Sequence, residues 1–300
     1  MRILLFGMRC HFTPPVLAAL LEAGHDIVGI VLPGRQPGRS WRWLRKPGSR
    51  PGVPLAGVPT IESLAARHRL PLAEWNSGDI ESALEAIPAL RPDLIVVACF
   101  PRLIPNVVVD LAPFGGCNVH PSLLPALRGP DPLFWTLHAG LHRSGVTVHL
   151  LSDRFDAGDI VAQREIEIPA GERIDRLETV MGQVGGELLG ETLPQWAMAR
   201  TSARPQNHGA ATSAPNPQPS DLRVPVTWPV ERAFRFIRGI APLRMETEIF
   251  DGNGKIWRVR DAECWDAESV EAESMQGYRE KIAIPFSDGF LRVIPTEIEH

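Results

Sequence analysis

Short runs of buried-type residues that alternate with helical patterns constrain the fold of this chain most. The first two runs are Arg2–Gly7 and Asp26–Leu32, and residues 15–23 between them repeat apolar side chains at helical spacing. A later run, Leu94–Ala98, reads LIVVA. Strands that are apolar on both faces belong to parallel sheets with helices on each side. The alternation therefore predicts an α/β fold with a mostly parallel sheet. The first turn of this sheet lacks the G-x-G-x-x-G motif, which argues against a dinucleotide-binding site there.

A polar stretch at residues 201–219 divides the chain. It is rich in Pro, Ala, Ser, Thr, Asn and Gln and nearly free of large apolar residues, which indicates an interdomain linker. Beyond it, Val230–Ile240 has a helical pattern, and Gly-containing turns separate short strand-like runs. The predicted organisation is a first domain at 1–200, the linker at 201–219 and a small β-rich domain at 220–300.

Composition and charge exclude several classes of protein. Of 300 residues, 44% are hydrophobic and 22% are charged, which is typical of a soluble globular protein. The net charge of −4 argues against general coating of nucleic acid. The apolar runs are shorter than the ~18–20 residues of a membrane-spanning helix, and the opening MRILLFG lacks the features of a signal peptide. The four cysteines form no C-x-x-C pair, so we expect a cytoplasmic protein with reduced thiols and no membrane contact.

Residues 34–51 form a strongly basic segment. It holds six cations, among them Arg39, Arg42 and Arg45, together with two tryptophans and no acid. Glycines and prolines interrupt it, which predicts a long surface loop. Such a charge run is most often a solvated insertion. Because arginine pairs well with phosphate and tryptophan offers a stacking surface, the alternative is that the three named arginines bind an anionic substrate.

Two strong hydrogen-bonding side chains, Asn118 and His120, lie two residues apart at the end of a strand-like run. Residues i and i+2 of a strand point to the same face, so both can reach one spot. Pro121 has no N–H and ends the strand there. In open parallel sheets, ligands bind at the carboxyl ends of the strands. An amide and an imidazole at that place can together stabilise an oxyanion on a carbonyl carbon under attack.

Three aspartates, Asp153, Asp156 and Asp159, crowd the stretch LLSDRFDAGDIV, directly after a strand-like run. A carboxylate from this aspartate loop beside His120 would hold the imidazole and favour its charged form. The loop could instead bind a cation, although it lacks the length and the terminal Glu of an EF-hand. A serine hydrolase is a further alternative, although the chain has no G-x-S-x-G.

The stretches NVHPSLLPALRGPDPLFW and SGVTVHLLSDRFDAGDIVAQ closely resemble segments of the formyltransferase family that uses 10-formyltetrahydrofolate. The resemblance implies the formyltransferase fold, which is a Rossmann-like sheet, over residues 1–200. It also implies that Asn118, His120 and Asp156 are the catalytic residues. Within the first stretch, Arg128-Gly129 followed by Pro132 resembles the methionyl-tRNA and amino-sugar branches of the family more than the purine-synthesis branch.

The segment CFPRLIP is similar to the loop that walls the folate pocket in this family. By that resemblance, Phe100, Arg102 and Ile104 lie near the pterin of the folate. Ser152 and Asp153 are implied to contribute to the same pocket from the aspartate loop. Taken alone, Arg102 would be an ordinary surface arginine before a helix.

The resemblance continues more weakly after residue 200. The stretch ARPQNHGAATSAPNPQPSD is similar to the linker of the methionyl-tRNA group, and VTWPVERAFRFIRGIAPL to the start of its C-terminal, barrel-like domain. The proline-glycine-aromatic run that usually follows that helix is absent from the sequence. Formyl transfer is therefore better supported than tRNA as the acceptor.

These features predict an enzyme of one-carbon metabolism that moves the formyl group of 10-formyltetrahydrofolate to an amine. The amine would attack the formyl carbon, while Asn118 and protonated His120 stabilise the oxyanion and Asp156 pairs with His120. His149, on the strand before the aspartate loop, is expected to support that loop. The acceptor stays open among methionyl-tRNA, an amino sugar linked to a nucleotide and another amine, and no metal is expected.

Two alternatives to this function stay open. With water as the acceptor, the same residues would make a 10-formyltetrahydrofolate hydrolase. A non-enzymatic folate- or RNA-binding protein could also keep the fold. Such a binding protein would have no need of Asn118, His120 and Asp156 together, which argues against it.

Overall fold

The computed structural model of the chain describes residues 1–34, 41–47, 59–76, 79–198, 202–267 and 281–296. The chain folds into two compact units, and each unit combines three separate stretches of sequence. The first unit contains Met1–Gly129, Gly145–Ile166 and Glu178–Ser213, and the second contains Pro130–Ser144, Glu167–Leu177 and Ala214–His300. The domain boundaries predicted from the sequence, at residues 200 and 220, differ from the boundaries of these two units and stay a prediction.

Eight strands form one large sheet. They are β1 (Arg2–Gly7), β2 (Asp26–Pro33), β3 (Trp41–Arg45), β4 (Leu72–Trp75), β5 (Leu94–Ala98), β6 (Gly116–His120), β7 (Arg143–Leu150) and β8 (Ile160–Glu167). Their order is β3-β4-β2-β1-β5-β6-β7-β8. The five strands from β4 to β6 in this order are parallel, whereas β3 pairs antiparallel with β4 and β7 pairs antiparallel with β6. The α/β fold with a mostly parallel sheet is thereby confirmed, and every side chain of the LIVVA strand is buried.

Seven α-helices accompany the strands in the described ranges. They are α1 (Thr13–Glu22), α2 (Ile61–Arg67), α3 (Ile80–Ala86), α4 (Asn106–Val109), α5 (Pro132–His138), α6 (Ile174–Ala197) and α7 (Val230–Ile240). The long α6 passes so close to the turn before α1 that a Cβ on Gly182 would collide with the Phe12 carbonyl oxygen. Glycine is therefore required there by close approach and not by flexibility. In these ranges, the helices are too short or too polar to cross a membrane.

The basic segment that we expected to be a surface loop contains strand β3, and that expectation was wrong for its middle part. Trp41 and Trp43 are half-buried and pack against the hydrophobic core, whereas Arg42 between them is exposed. In the register with β4, Arg42 lies opposite Glu74. The period-two alternation of WRWLR indicated an edge strand, and the surrounding glycines and prolines outweighed it in our interpretation.

A smaller sheet forms in the second unit. Its strands are β9 (Arg223–Pro225), β10 (Thr247–Phe250), β11 (Ile256–Asp266), β12 (Ile282–Phe286) and β13 (Gly289–Pro295), in the order β12-β13-β11-β10-β9. Helix α7 packs on β11 and β13. The turn between β10 and β11 is closed by Asp251, whose Oδ1 accepts the N–H groups of Asn253 and Lys255. The small β-rich region is therefore confirmed, with its predicted helix and turns.

The described part of the polar stretch after α6 is hydrogen-bonded to the first unit. Arg204 and Ile160 exchange two backbone hydrogen bonds, of 2.8 and 2.9 Å. Further along, the Thr212 side chain accepts the N–H of Leu127 at 2.8 Å. The described residues of this stretch up to Ser213 thus belong to the first unit, and the linker at 201–219 stays a prediction.

Candidate active site

Strands β6 and β7 bring polar side chains together at one edge of the large sheet. Their antiparallel register sets Asn118 opposite His149 and His120 opposite Thr147. Because β6 runs parallel to β5 and ends at His120, these side chains lie at the carboxyl edge of the parallel strands. The register thus adds His149 to the pair that the sequence spacing had identified.

One carboxylate oxygen of Asp156 is the centre of this cluster. Asp156 Oδ1 accepts a hydrogen bond from Asn118 Nδ2 at 3.1 Å. The same oxygen lies 3.5 Å from His120 Nδ1 and 3.5 Å from His149 Nε2. Asp156 and both histidines are buried. The structure therefore brings together the three residues that the resemblance implied, while their catalytic roles stay a prediction.

The backbone around Asp156 aims its carboxylate into the cluster. Asp156 has a φ of 51°, in the left-handed region that aspartate tolerates better than most residues. Its second oxygen, Oδ2, accepts the N–H of Gly129 at 2.8 Å. Two residues later, a Cβ on Gly158 would collide with the carbonyl oxygen of Leu150. The aspartate loop is therefore a tight turn, and its backbone directs the Asp156 carboxylate toward Asn118 and the two histidines.

His120 is oriented by a backbone carbonyl. Its Nε2 lies 2.9 Å from the carbonyl oxygen of Leu127, so this nitrogen carries the hydrogen that is donated. Nδ1, which faces Asp156, is then the nitrogen that can take up a further proton. Burial lowers the pKa of His120 below its ordinary value, although Asp156 and the Leu127 carbonyl act in the opposite direction. The resting ring is therefore neutral near neutral pH, and the protonated His120 expected during the reaction stays a prediction.

Asp156 stays ionised although it is buried. Burial alone would raise the pKa of its carboxyl group. Once protonated, the rings of His120 and His149 outweigh that effect together with the N–H of Gly129, and they hold the pKa of the Asp156 carboxyl well below its usual range. A proton that enters the cluster therefore binds an imidazole and not the carboxylate.

Asn118 uses both hydrogens of its amide inside the cluster. One points to Asp156 Oδ1, and the other lies toward His149 Nε2 at 3.1 Å. His149 Nδ1 is 2.8 Å from the Leu150 carbonyl oxygen and donates to it, which leaves Nε2 as the acceptor for Asn118. His149 thus contacts both Asn118 and Asp156, and its predicted supporting role stays a prediction.

Two further groups of the cluster were missed by sequence reasoning. Leu127, with a φ of 58°, supplies the carbonyl that orients His120. Gln206 is buried, and its Nε2 donates to the carbonyl oxygens of Asp156 and Gly158. Position 206 lies in the polar stretch that was interpreted as a linker, and no spacing rule relates it to the aspartate loop.

The residues predicted to wall a folate pocket after β5 are mostly buried. Phe100 and Ile104 belong to the hydrophobic core, where the Phe100 ring packs against Phe6 and Trp75. Arg102 is half-buried, and its guanidinium donates a hydrogen bond to an asparagine side chain that follows β4. This segment follows the strand next to β6, and its contact with a folate stays a prediction.

Ser152 and Asp153 open the aspartate loop. Ser152 is half-buried, and its hydroxyl donates to the carbonyl oxygen of Arg154 at 2.9 Å, whereas Asp153 is exposed. Their part in folate binding also stays a prediction. Within the described ranges, no group of three or more His, Cys, Asp or Glu side chains is arranged to hold a metal ion.

The arginines predicted to bind the acceptor lie far from the cluster where they are described. Arg42 and Arg45 lie on β3, and Arg39 lies outside the described residues. Arg42 pairs with Glu74 at 2.6 Å. In the strand order, β3 is five strands away from β6, which corresponds to about 24 Å at the usual strand spacing. An acceptor that reaches both Arg42 and the cluster must span that distance.

Comparisons of the sequence identify related proteins. The profile of the family described as formyl transferase matches residues 60–193. A methionyl-tRNA formyltransferase of Bacillus velezensis is 32% identical over 248 residues, which cover 82% of this chain and 74% of that protein.

Comparisons of the structure identify proteins with the same architecture. An N-formyltransferase from Helicobacter canadensis, solved with folinic acid and dTDP-3-aminofucose, has a TM-score of 0.63 at 14% identity, over 98% of this chain and 99% of that one. HypX from Aquifex aeolicus, solved with tetrahydrofolic acid, has a TM-score of 0.62 at 19% identity, over 98% of this chain and 43% of that one. At these identities the likeness shows a shared fold, which confirms the predicted fold class.

Proposed function

Because this chain belongs to the formyl transferase family, we propose that it carries a formyl group from 10-formyltetrahydrofolate to the primary amine of an acceptor. The observation that carries the proposal is the convergence of Asn118 and His120 on one oxygen of Asp156. This arrangement combines an N–H donor for an oxyanion, a neutral base and a fixed negative charge, which are the groups that acyl transfer to an amine requires.

His120 is proposed as the group that moves the proton. The neutral amine nitrogen attacks the formyl carbon, and His120 Nδ1 takes up the proton that the amine loses, directly or through one water. Asp156, 3.5 Å away, stabilises the imidazolium that forms. The proton then passes to N10 of the folate as the bond from N10 to the formyl carbon breaks. The products are a formamide and tetrahydrofolate, with no net change in protons.

Asn118 is proposed as the donor that stabilises the oxyanion. One N–H of its amide stays on Asp156 Oδ1, which holds the side chain in place. The formyl oxygen takes the place of His149 Nε2 as the acceptor of the second N–H. A preorganised donor of this kind contributes about 10²–10³ to kcat.

The formyl donor is proposed to bind beside this cluster. Support comes from the structures of the same fold that hold tetrahydrofolic acid or folinic acid. The proposed pocket is walled by residues 100–104 after β5 and by Ser152 and Asp153 of the aspartate loop. Residues 100–104 follow β5 at the carboxyl edge of the parallel strands, and the aspartate loop, which follows the antiparallel β7, returns to Asn118 through Asp156.

Methionyl-tRNA is the acceptor that we favour. A relative that is 32% identical over most of its length carries that name. The basic strand β3, with Arg42 and Arg45, suits a phosphate backbone. An acceptor that spans about 24 Å between β3 and the cluster must be large, which tRNA is. An amino sugar linked to a nucleotide is the second candidate, since the Helicobacter enzyme solved with dTDP-3-aminofucose shares the fold over nearly all of both chains.

A parallel assay with three arms tests the proposal. Purified protein is mixed with 10-formyltetrahydrofolate and methionyl-tRNA, dTDP-3-aminofucose or no acceptor, and tetrahydrofolate release and the mass of the product are measured. Asp156→Asn serves as the matched control. We expect formylmethionyl-tRNA from the wild type and far less from the variant. Equal tetrahydrofolate release without an acceptor would establish a hydrolase, and no release in any arm would contradict formyl transfer.

A further inference from the structure

One buried glutamine joins the polar stretch after α6 to the aspartate loop. Gln206 is 5% exposed. Its Nε2 donates to the carbonyl oxygen of Asp156 at 2.9 Å and to that of Gly158 at 2.6 Å. Both hydrogens of this amide are therefore bound to the backbone that carries the central carboxylate of the cluster.

Arg128 holds the other end of the same amide. Its Nε and Nη2 donate to Gln206 Oε1 at 3.1 and 2.6 Å. A guanidinium offers donors and no acceptor, so the amide cannot turn over and present its nitrogen to Arg128. The direction in which Gln206 donates is thus determined from both sides.

Arg128 lies between two backbone groups that touch the cluster. The carbonyl of Leu127 accepts the hydrogen bond from His120, and the N–H of Gly129 donates to Asp156 Oδ2. A closed circuit of contacts therefore runs from His120 through this turn and the glutamine to the backbone of Asp156. We expect displacement of any member to change the distance between the imidazole of His120 and the carboxylate of Asp156.

The chain on both sides of the glutamine is anchored in the first unit. Arg204 exchanges two backbone hydrogen bonds with Ile160, and the Thr212 hydroxyl accepts the N–H of Leu127. Gln206 is therefore presented from a fixed segment. Asp156 itself has a left-handed backbone, a conformation that persists only where the surroundings determine it.

We propose that Gln206 is a positioning residue for formyl transfer, which holds the aspartate loop so that the Asp156 carboxylate faces His120 and Asn118. Gln206 acts through Asp156 and does not touch the substrate. The kinetic test of this role rests on the proposed function, whereas the test by hydrogen exchange does not.

Three variants separate this role from a general contribution to stability. Gln206→Leu removes both donors at similar side-chain volume. Gln163→Leu is the matched control, because Gln163 Nε2 also donates two hydrogen bonds in the same unit, to the Leu124 carbonyl at 2.7 Å and to Thr147 Oγ1 at 3.0 Å. It also removes the Oε1 that accepts a hydrogen bond from Arg204, so it controls for a displacement of the segment that carries Gln206. Gln206→Glu keeps the shape and the acceptor for the arginine but loses both donors, so it decides the question where Gln206→Leu does not fold.

Kinetics with methionyl-tRNA as the acceptor give the first readout. We expect Gln206→Leu to lower kcat about 100-fold, the effect of a misplacement of about 1 Å, with KM for 10-formyltetrahydrofolate nearly unchanged. Gln163→Leu should lose much less. In an Asp156→Asn background, Gln206→Leu should lower kcat little further, because its effect passes through the missing carboxylate. A general loss of stability would instead lower kcat by the same factor in both backgrounds.

Hydrogen exchange of residues 152–159 gives the second readout and needs no substrate. We expect this segment to exchange faster in Gln206→Leu than in the wild type or Gln163→Leu. Equal exchange and equal kcat in the two leucine variants would overturn the positioning role. If the wild type transfers no formyl group to methionyl-tRNA or dTDP-3-aminofucose, the proposed function fails, and the exchange data alone decide the role of Gln206.

Discussion

Two buried carboxylates of the large sheet have different kinds of partner. Glu74, on β4, is 7% exposed, and Asp156, after β7, is 8% exposed. Glu74 is held by two guanidinium groups, whereas Asp156 is surrounded by an amide, two imidazoles and a backbone N–H. Two carboxylates with similar burial therefore have partners of different chemistry, and that chemistry predicts which of the two can take part in a reaction.

The partners of Glu74 keep their charge at any working pH. Arg9 and Arg42 approach its two oxygens at 3.0 and 2.6 Å. Burial alone would raise the pKa of Glu74, but the two arginines outweigh burial and lower it. Because a guanidinium does not give up its proton in proteins, this pair can stabilise the edge of the sheet but cannot move a proton.

One partner of Asp156, the imidazole of His120, can change its protonation state. The His120 ring is neutral at rest, and its Nδ1 faces the carboxylate. Uptake of a proton there turns a neutral neighbour into an ion pair, without any movement of the chain. We therefore expect a buried carboxylate next to imidazoles to assist proton transfer, and one next to arginines to have a structural role.

The largest expected effect is on catalysis at Asp156. Asp156→Asn keeps the shape but removes the charge that stabilises a protonated His120. We expect kcat to fall by about 10²–10⁴, the usual contribution of acid–base catalysis. Glu74→Gln, the matched change at the other carboxylate, should leave kcat nearly unchanged in the same steady-state assay. Similar losses in both variants would remove the distinction between them.

The second effect is on stability at Glu74. Glu74→Gln should lower the free energy of unfolding by about 2–3 kcal/mol, because two arginines lose a buried partner. The folded-state pKa of Glu74 is lowered, so its contribution is present above the unfolded-state pKa and is lost as pH falls through the folded-state pKa. Urea unfolding at neutral and acidic pH measures this. The difference between wild type and variant should shrink on acidification, and a difference that grows would contradict the argument.

The third effect distinguishes the two histidines that lie equally far from Asp156. His149 donates to its own strand and accepts from Asn118, so we expect it to support the donor and not to move the proton. His149→Asn should lower kcat about tenfold, the equivalent of about one hydrogen bond. His120→Asn should resemble Asp156→Asn in the same assay. A His149 variant as inactive as the His120 variant would assign both rings to catalysis.

The smallest effect is expected at the basic strand. Neutralising Arg39, Arg42 and Arg45 together should raise KM for methionyl-tRNA a few fold and weaken its salt dependence, since a charge contact screened by solvent contributes about 1 kcal/mol or less. The pairing of Arg42 with Glu74 limits the effect. KM for 10-formyltetrahydrofolate should not change. A triple variant that matches the wild type at low salt would favour a small, uncharged acceptor.

Local periodicity in the sequence predicted much of the large sheet. In the candidate site it predicted the pair Asn118 and His120. The run at Leu94–Ala98 indicated a buried strand because both faces of a central parallel strand are covered. The spacing of Asn118 and His120 placed both side chains on one face because side chains alternate along any strand. Asp156 was identified by resemblance to a family, since nothing local decides which of three neighbouring aspartates turns inward.

Tertiary structure alone decided which distant groups surround that face. The register of β6 against β7 brought His149 opposite Asn118. Gln206 reaches the Asp156 backbone across 50 residues of sequence, and Arg42 meets Glu74 across 32. Backbone geometry repeats every two or every 3.6 residues and can be recognised in a single sequence. Contacts across long stretches of chain depend instead on how whole elements pack, so they become visible only in the folded molecule.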